Sequence, residues 1–195
     1  MEQQPSIKGL ANTPLVNVVR GAIPGPNAVG IEEHDDVGHL VLRGDATLLA
    51  SAVTEVLDLA FPDQPLSSCS RDKTCIRWIS PDEWLVTVPG TETSSVESSL
   101  RDAIVGHVAI VNVSGGQTIV HLTGKHASDV LMKSTSYEVH ALKFPAGKVI
   151  TTTLAQAQVI IRRLDSDQFE LVIRRSFADY LWMWLRDAAA EFGIN

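Results

Sequence analysis

The arginine doublets Arg162-Arg163 and Arg174-Arg175 are the densest concentration of one chemistry in this sequence. Both fall in stretches that read as paired strands, which would place two or more guanidinium groups on a shared face with the fork geometry that suits a carboxylate or phosphate. The same charges also suit a hairpin edge that must stay soluble and unpaired. We take that as the plainer reading, with an acidic partner surface as its functional version. The six histidines, His34, His39, His107, His121, His126 and His140, include no H-E-x-x-H helix and no pair at i, i+4 spacing. His121 and His126 meet only if a strand end approaches a helix start, so solvated or core-satisfied histidines are expected instead of metal ligands. Ser114 has no G-x-S-x-G frame and no recognisable base nearby. Gly115-Gly116 leads into a strand, whereas a phosphate cradle needs a helix N-terminus, so a hairpin turn is expected there. Cys69 and Cys75 are too few for a disulfide framework and wrongly spaced for a zinc knuckle, and they read as free thiols. Lys125 reads as surface. No catalytic, cofactor-binding or metal-ligating residue is assigned to this chain.

Binding is a different matter. The C-terminal segment from Ser176 has the spacing of a long amphipathic helix whose core face runs from Trp184 through Phe177, Ala188, Leu181 and Phe192 to Leu185. On that wheel Trp182 and Met183 project outside the apolar arc and need another surface. Together with Arg162, Arg174 and Arg175 they are the candidate partner-interface residues.

The elements that would position these residues are legible from periodicity. With 195 residues and 45% apolar content the chain has room for one sizeable core or two fused ones. A net charge of −7 argues against non-specific binding of nucleic acid or anionic membrane. No apolar run approaches a bilayer span, and the first residues lack signal-peptide character, so a cytoplasmic location is expected. Residues 1–37, with Pro5, Pro14, Pro24 and Pro26 and the acidic run ending at Asp36, read as an extended N-terminal arm.

From Gly38 a regular pattern starts. A strand at 39–43 ends at Gly44, and Asp45 caps a helix that Pro62 stops. A hairpin follows, from Cys75 to Ile79 and through Trp84, Val86 and Val88, with its turn at Ser80-Pro81-Asp82. Ser94 and Glu97 form a capping box for the next helix, and a strand at 107–113 closes the unit. The pattern then restarts with a strand over Thr118, Val120 and Leu122, a helix after Gly124, a hairpin at 157–163 and 169–173, and the last helix, capped by Ser176 with Asp179. Leu42-Arg43-Gly44-Asp45 lies over Leu122-Thr123-Gly124-Lys125, and Asp82-Glu83-Trp84 over Asp167-Gln168-Phe169, the offset growing from 80 to 85 residues. The expected fold is α+β, two tandem ferredoxin-like β-α-β-β-α units over 38–113 and 114–195 that form one compact unit, only the first with a clear closing strand.

Four stretches carry a family resemblance: Ser80-Pro81-Asp82-Glu83-Trp84-Leu85; Val113-Ser114-Gly115-Gly116-Gln117-Thr118 running to Gly124; Phe144-Pro145-Ala146-Gly147; and Arg175-Ser176-Phe177-Ala178-Asp179-Tyr180-Leu181-Trp182-Met183-Trp184-Leu185. The sequence resembles the gamma subunit of heterotetrameric sarcosine oxidase, a family similar in turn to the folate-binding part of glycine-cleavage aminomethyltransferase. The resemblance implies a complex that oxidises sarcosine to glycine with oxygen, yielding hydrogen peroxide and, with tetrahydrofolate, methylene-tetrahydrofolate. It implies alpha, beta and delta partner subunits that hold FAD, FMN, NAD, tetrahydrofolate and zinc, and a gamma chain without cofactor that acts in assembly and stabilisation. The alternative is a stand-alone folate-binding, aminomethyltransferase-like protein. Where relatives of that enzyme read Asp-x-Ser-His, this sequence has Asn112 and Gly115, which weakens the alternative. A general adaptor is the third reading, since similar folds host different functions.

Overall fold

Asp45 opens the first helix as its residue type predicts, its carboxylate accepting from the amides of Thr47 and Leu48 at the N-terminus of α1 (Ala46–Leu57). The computed structural model describes residues 13–16 and 28–194. Helix α2 (Thr93–Ala103) and helix α4 (Ala178–Ala189) start differently from expectation. Each is entered through a 3-10 turn, Gly90–Glu92 and Arg175–Phe177, whose backbone already engages the first amide, and neither Ser94 nor Ser176 acts as a side-chain cap.

Ten strands make two antiparallel sheets among the described residues. The first runs in the order β3 (Ser68–Arg71), β4 (Thr74–Ser80), β5 (Glu83–Pro89), β2 (Val37–Gly44), β6 (Val108–Asn112). The second runs β1 (Gly30–His34), β7 (Gln117–Thr123), β10 (Gln168–Arg174), β9 (Ala157–Asp165), β8 (Val149–Leu154), with α3 (Ala127–Ser134) after β7. Within the first sheet β6, β2, β5 and β4 have the ferredoxin-like order, fourth strand beside first, third beside second. The expected α+β duplication is therefore present. What differs is where the second unit finds its fourth strand: β1, from the stretch read as arm, pairs with β7 from Gly30 opposite Thr123 to His34 opposite Ile119. Leu15 is also buried in the core of the second unit, whereas residues 1–12 and 17–27 of the expected arm lie outside the described residues. Strands β3 and β8 each add a fifth strand, and both escape a period-two reading because Ser, Arg and Thr dominate them.

The duplication extends to a matched contact. The amide of Gly44 donates to the carbonyl of Asp82 at 3.0 Å, and that of Gly124 to Asp167 at 2.9 Å, tying each first strand to the turn of its own hairpin. At Gly124 the backbone has φ +111°, and an added Cβ would sit 3.0 Å from the Ala28 carbonyl. Gly124→Ala is expected to lower stability by about 1–3 kcal/mol, the usual cost of such a backbone for a non-glycine residue. Chemical denaturation checks it, and an unchanged midpoint would show that the turn relaxes freely.

Strand alternation then builds four layers. Leu40, Leu42, Trp84 and Val86 face α1 and α2, while Val120, Leu122, Phe169 and Leu171 face α3 and α4. The opposite faces of the two sheets meet each other through a small apolar cluster centred on Leu85, Ile119 and Val172.

Candidate functional site

Around that cluster the layer between the sheets is polar. Arg77 of β4, with no exposed surface, donates from Nε (3.0 Å) and Nη2 (2.5 Å) to Oε1 of Glu170 on β10, and from Nη1 to Thr87 Oγ1 at 2.9 Å. Arg162 of β9 stands opposite Glu170 in the strand register, reaches Ser68 Oγ (2.9 Å) and Ser70 Oγ (2.6 Å) on β3, and approaches the same carboxylate at 3.9 Å. His121 Nε2 lies 3.9 Å from Oε2, beyond direct hydrogen-bond range, and its ring stacks on His34. Burial alone would raise the Glu170 carboxyl, but the charges of Arg77 and Arg162 and the hydrogen bonds of Arg77 outweigh it and hold the group well below the usual carboxylate range. His39 of β2 completes the layer. Burial, reinforced by the Arg77 charge, lowers it to about 4, and its ring nitrogens have no well-formed hydrogen bond, with only a weak approach from the Val37 backbone.

Periodicity missed this network. The signal lay in single charged residues between apolar neighbours on both sides, Arg77 between Ile76 and Trp78 and Glu170 between Phe169 and Leu171. On a strand buried on both faces, such a residue points into a second interior.

The structure separates the four arginines. β9 is not an edge, because β8 covers it, so Arg162 and Arg163 are buried on opposite faces of a central strand. Arg163 packs over the Phe169 ring at 4.5 Å and donates to the carbonyls of Ser166 and Val139. Arg174 and Arg175 lie exposed at the far end of β10 and in the turn after it. The shared guanidinium face does not form, and Arg162 is largely buried, its guanidinium held by the serines of β3.

The last helix is turned about its axis relative to the sequence wheel. Ala178, Leu181, Trp182, Leu185 and Ala189 form the buried face, with Trp182 only 4% exposed. Trp184 is 38% exposed, its indole N–H donating to Ser134 Oγ at 3.1 Å. Met183 does project, at 69% exposure. Trp182 therefore belongs to the core and Trp184 to the rim. The small residues Ala178 and Ala189 decide this, since they let the helix approach the sheet on their side.

Gly115-Gly116 is not a hairpin turn. Ser114–Gly116 is a 3-10 crossover from β6 in one sheet to β7 in the other. Ser114 Oγ accepts the His39 amide at 3.0 Å and donates to Asn112 Oδ1 at 2.7 Å, a structural use of the hydroxyl. His126 stacks on Phe192 and bonds Asp129, away from His121. Among the described residues there is no group of three or more metal-ligating side chains, and no helix is long and apolar enough to cross a membrane.

Two clefts open onto the polar layer. The larger, about 570 Å3, lies beside the crossover and includes His34, Asp35, His39, Asn112, Gln117 and Arg175. The smaller, about 360 Å3, exposes part of Glu170, Arg162, His121 and Cys75. Burial pushes the Cys75 thiol up, which keeps it protonated and unreactive. The Gly115-Gly116 pair beside the larger cleft feeds a strand, so it does not have the form of a phosphate cradle, in which a glycine-rich turn leads into a helix N-terminus.

Comparison with known proteins agrees with this architecture. Residues 43–191 match the model of the sarcosine oxidase, gamma subunit family. Sarcosine oxidase subunit gamma of Corynebacterium sp. (strain P-1) is 29% identical over 144 residues, 73% of this chain and 70% of the relative. The subunit of the same name from Arthrobacter sp is 31% identical over 120 residues, 61% of this chain and 58% of the relative, so the match spans less than two thirds of that protein. Among solved structures, heterotetrameric sarcosine oxidase from Corynebacterium sp. U-96 in complex with pyrrole 2-carboxylate superposes with a TM-score of 0.85 at 24% identity, covering 94% of this chain and 97% of that one. Glycine cleavage system aminomethyltransferase T from Bartonella henselae shares the fold at a TM-score of 0.63 and 13% identity, covering 82% of this chain and 46% of that one.

Proposed function

The chain belongs to the sarcosine oxidase gamma subunit family, and we propose that it serves as a non-catalytic subunit of a cytoplasmic heterotetrameric oxidase. Its partners are alpha, beta and delta subunits that hold FAD, FMN, NAD, tetrahydrofolate and zinc. The complex converts sarcosine to glycine with oxygen and delivers hydrogen peroxide and methylene-tetrahydrofolate. The role of this chain is assembly and stabilisation.

One observation carries the reading. The charged groups best suited to chemistry, Arg77, Glu170 and Arg162, are spent on joining one sheet to the other, with Oε1 of Glu170 taken by Arg77 and Nε and Nη2 of Arg162 donating to Ser68 and Ser70. A carboxylate acting as general acid or base needs a proton affinity near the working pH, and Glu170 is held well below that range. Asn112 and Ser114 are likewise engaged with each other, which disfavours independent folate chemistry at the crossover.

Co-expression of the tagged chain with the other three subunits tests this. Sarcosine-dependent peroxide production and flavin absorbance are expected to elute with the tag, and the chain purified alone is expected to be colourless and inactive. A chain that remains separate from the oxidase, or that turns over substrate alone, would overturn the proposal.

A further inference from the structure

The exposed side of α4 carries more apolar surface than its fold requires. Phe177 (41%), Tyr180 (39%), Met183 (69%) and Trp184 (38%) are exposed together on one face of the helix and its entering turn, with the Tyr180 and Trp184 rings 6.4 Å apart. Scattered apolar residues on a surface need no explanation, but a contiguous aromatic stripe does.

The duplicated fold supplies an internal reference. Helix α2 occupies in the first unit the place of α4 in the second, each following a 3-10 turn at the end of its hairpin. Aligned from those turns, the inward positions agree, Thr93 with Ala178 and Leu100 with Leu185 being buried in both and the half-buried Val96 matching Leu181, and so do Arg101 with Arg186 and Asp102 with Asp187. The outward positions do not. Glu92, Ser95, Ser98 and Ser99 stand where the second unit has Phe177, Tyr180, Met183 and Trp184. The architecture is thus satisfied with serine and glutamate at these four places, and the aromatic face serves something outside the chain.

Its charges restrict the partner. Asp179 and Asp187 are exposed and flank Met183 one helical turn before and after it, while the exposed Arg174 and Arg175 precede the helix at the end away from Asp187. The nearby Lys133 is occupied, paired with Glu191 and seated over the Phe192 ring. We infer that the face formed by Phe177, Tyr180, Met183 and Trp184 is the docking surface of this chain for another subunit of the oxidase, one presenting an apolar surface rimmed by lysine or arginine. The inference rests on the subunit role proposed above. Aromatic and methionine side chains supply the buried contact, and the two aspartates steer encounter and fix orientation.

The first unit prescribes the test. Tyr180→Ser with Met183→Ser introduces the residues of α2 at equivalent positions, so the variant is expected to keep the wild-type circular dichroism and melting temperature. Association with the remaining subunits, measured by titration in the ultracentrifuge, is expected to weaken roughly 30-fold or more, as for loss of central interface anchors. If the wild type and a folded variant join the oxidase equally well, the docking face is overturned while the subunit role stands. A wild-type chain that never joins overturns the subunit role and this inference with it. Should the double variant unfold, Asp187→Lys carries the test at an exposed position. It is expected to slow association roughly 3–10-fold, most strongly at low salt, and an unchanged rate would overturn the proposed basic rim.

Discussion

Glu170→Gln is expected to destabilise the protein by about 3–5 kcal/mol, the cost of leaving a buried charge without its counter-ion. The substitution preserves shape and an acceptor oxygen but removes the carboxylate that pairs with Arg77 among the described residues, where the arginine side chain is fully buried. Arg162, 3.9 Å from the same oxygen, loses its neutralising charge as well, although its serine partners remain. At the size of this domain the loss corresponds to a fall in melting temperature on the order of 10 °C. The double replacement Arg77→Met with Glu170→Leu is expected to recover most of it, because an apolar pair of similar volume escapes the desolvation cost of both ions. Thermal and urea unfolding of the three proteins would check this. A Glu170→Gln protein as stable as wild type would mean that water reaches Arg77.

Stability is also expected to fall steeply as pH drops from about 6.5 to 4, because of His39. In the unfolded chain this ring takes a proton at its ordinary value of 6.5, whereas in the fold burial and the Arg77 charge delay protonation until about 4. Between those values the unfolded state binds more protons, so its share rises as pH falls. The contribution of His39 is fully present above pH 6.5, declines through the window and is spent below 4. With each pKa unit worth about 1.4 kcal/mol, the loss amounts to roughly 3 kcal/mol. The carboxylate of Glu170 works in a different range. Its pKa is depressed from 4.5, so its contribution is intact above that value and declines only in stronger acid, as pH falls toward the folded pKa. Urea midpoints of wild type and His39→Gln across pH 4–7 separate the two: the variant curve is expected to be flatter by the amount assigned to His39. Parallel curves would show that His39 takes up its proton at the same pH in the fold as in the unfolded chain.

Both effects arise in the layer between the sheets, which periodicity could not expose. Alternation along Cys75 to Ile79 and along Phe169 to Ile173 predicts correctly that these are strands, and Arg77 and Glu170 then appear as outward positions. Outward from one sheet is inward when a second sheet lies there, and no local pattern announces the second sheet. The same cause undid the arginine face. Arg162 reads as an edge residue because β8, a threonine-rich strand, is absent from a hydrophobic pattern.

Trp182 and Met183 show a finer limit. A wheel drawn from apolar residues alone is broad in this segment, since tryptophan, methionine and tyrosine occupy most of the circumference. Its centre shifts by about one position according to which residues are allowed to count. Contact with the sheet removes the ambiguity by selecting the side with Ala178 and Ala189, sending Trp182 inward and leaving Tyr180, Met183 and Trp184 at the surface.

Local and periodic features were therefore determined by the amino-acid order alone. They include the Asp45 cap, the glycines at 44 and 124 that end matching strands, the two hairpins and the duplication that relates them, because each depends on residues within a few turns or strand lengths of one another. Only the tertiary structure decided which strand closes the second unit, which charges are buried and which face of the last helix is free. Those outcomes depend on pairings between distant segments, β1 with β7 and Arg77 with Glu170, whose energy comes from burial that exists only once both partners have met.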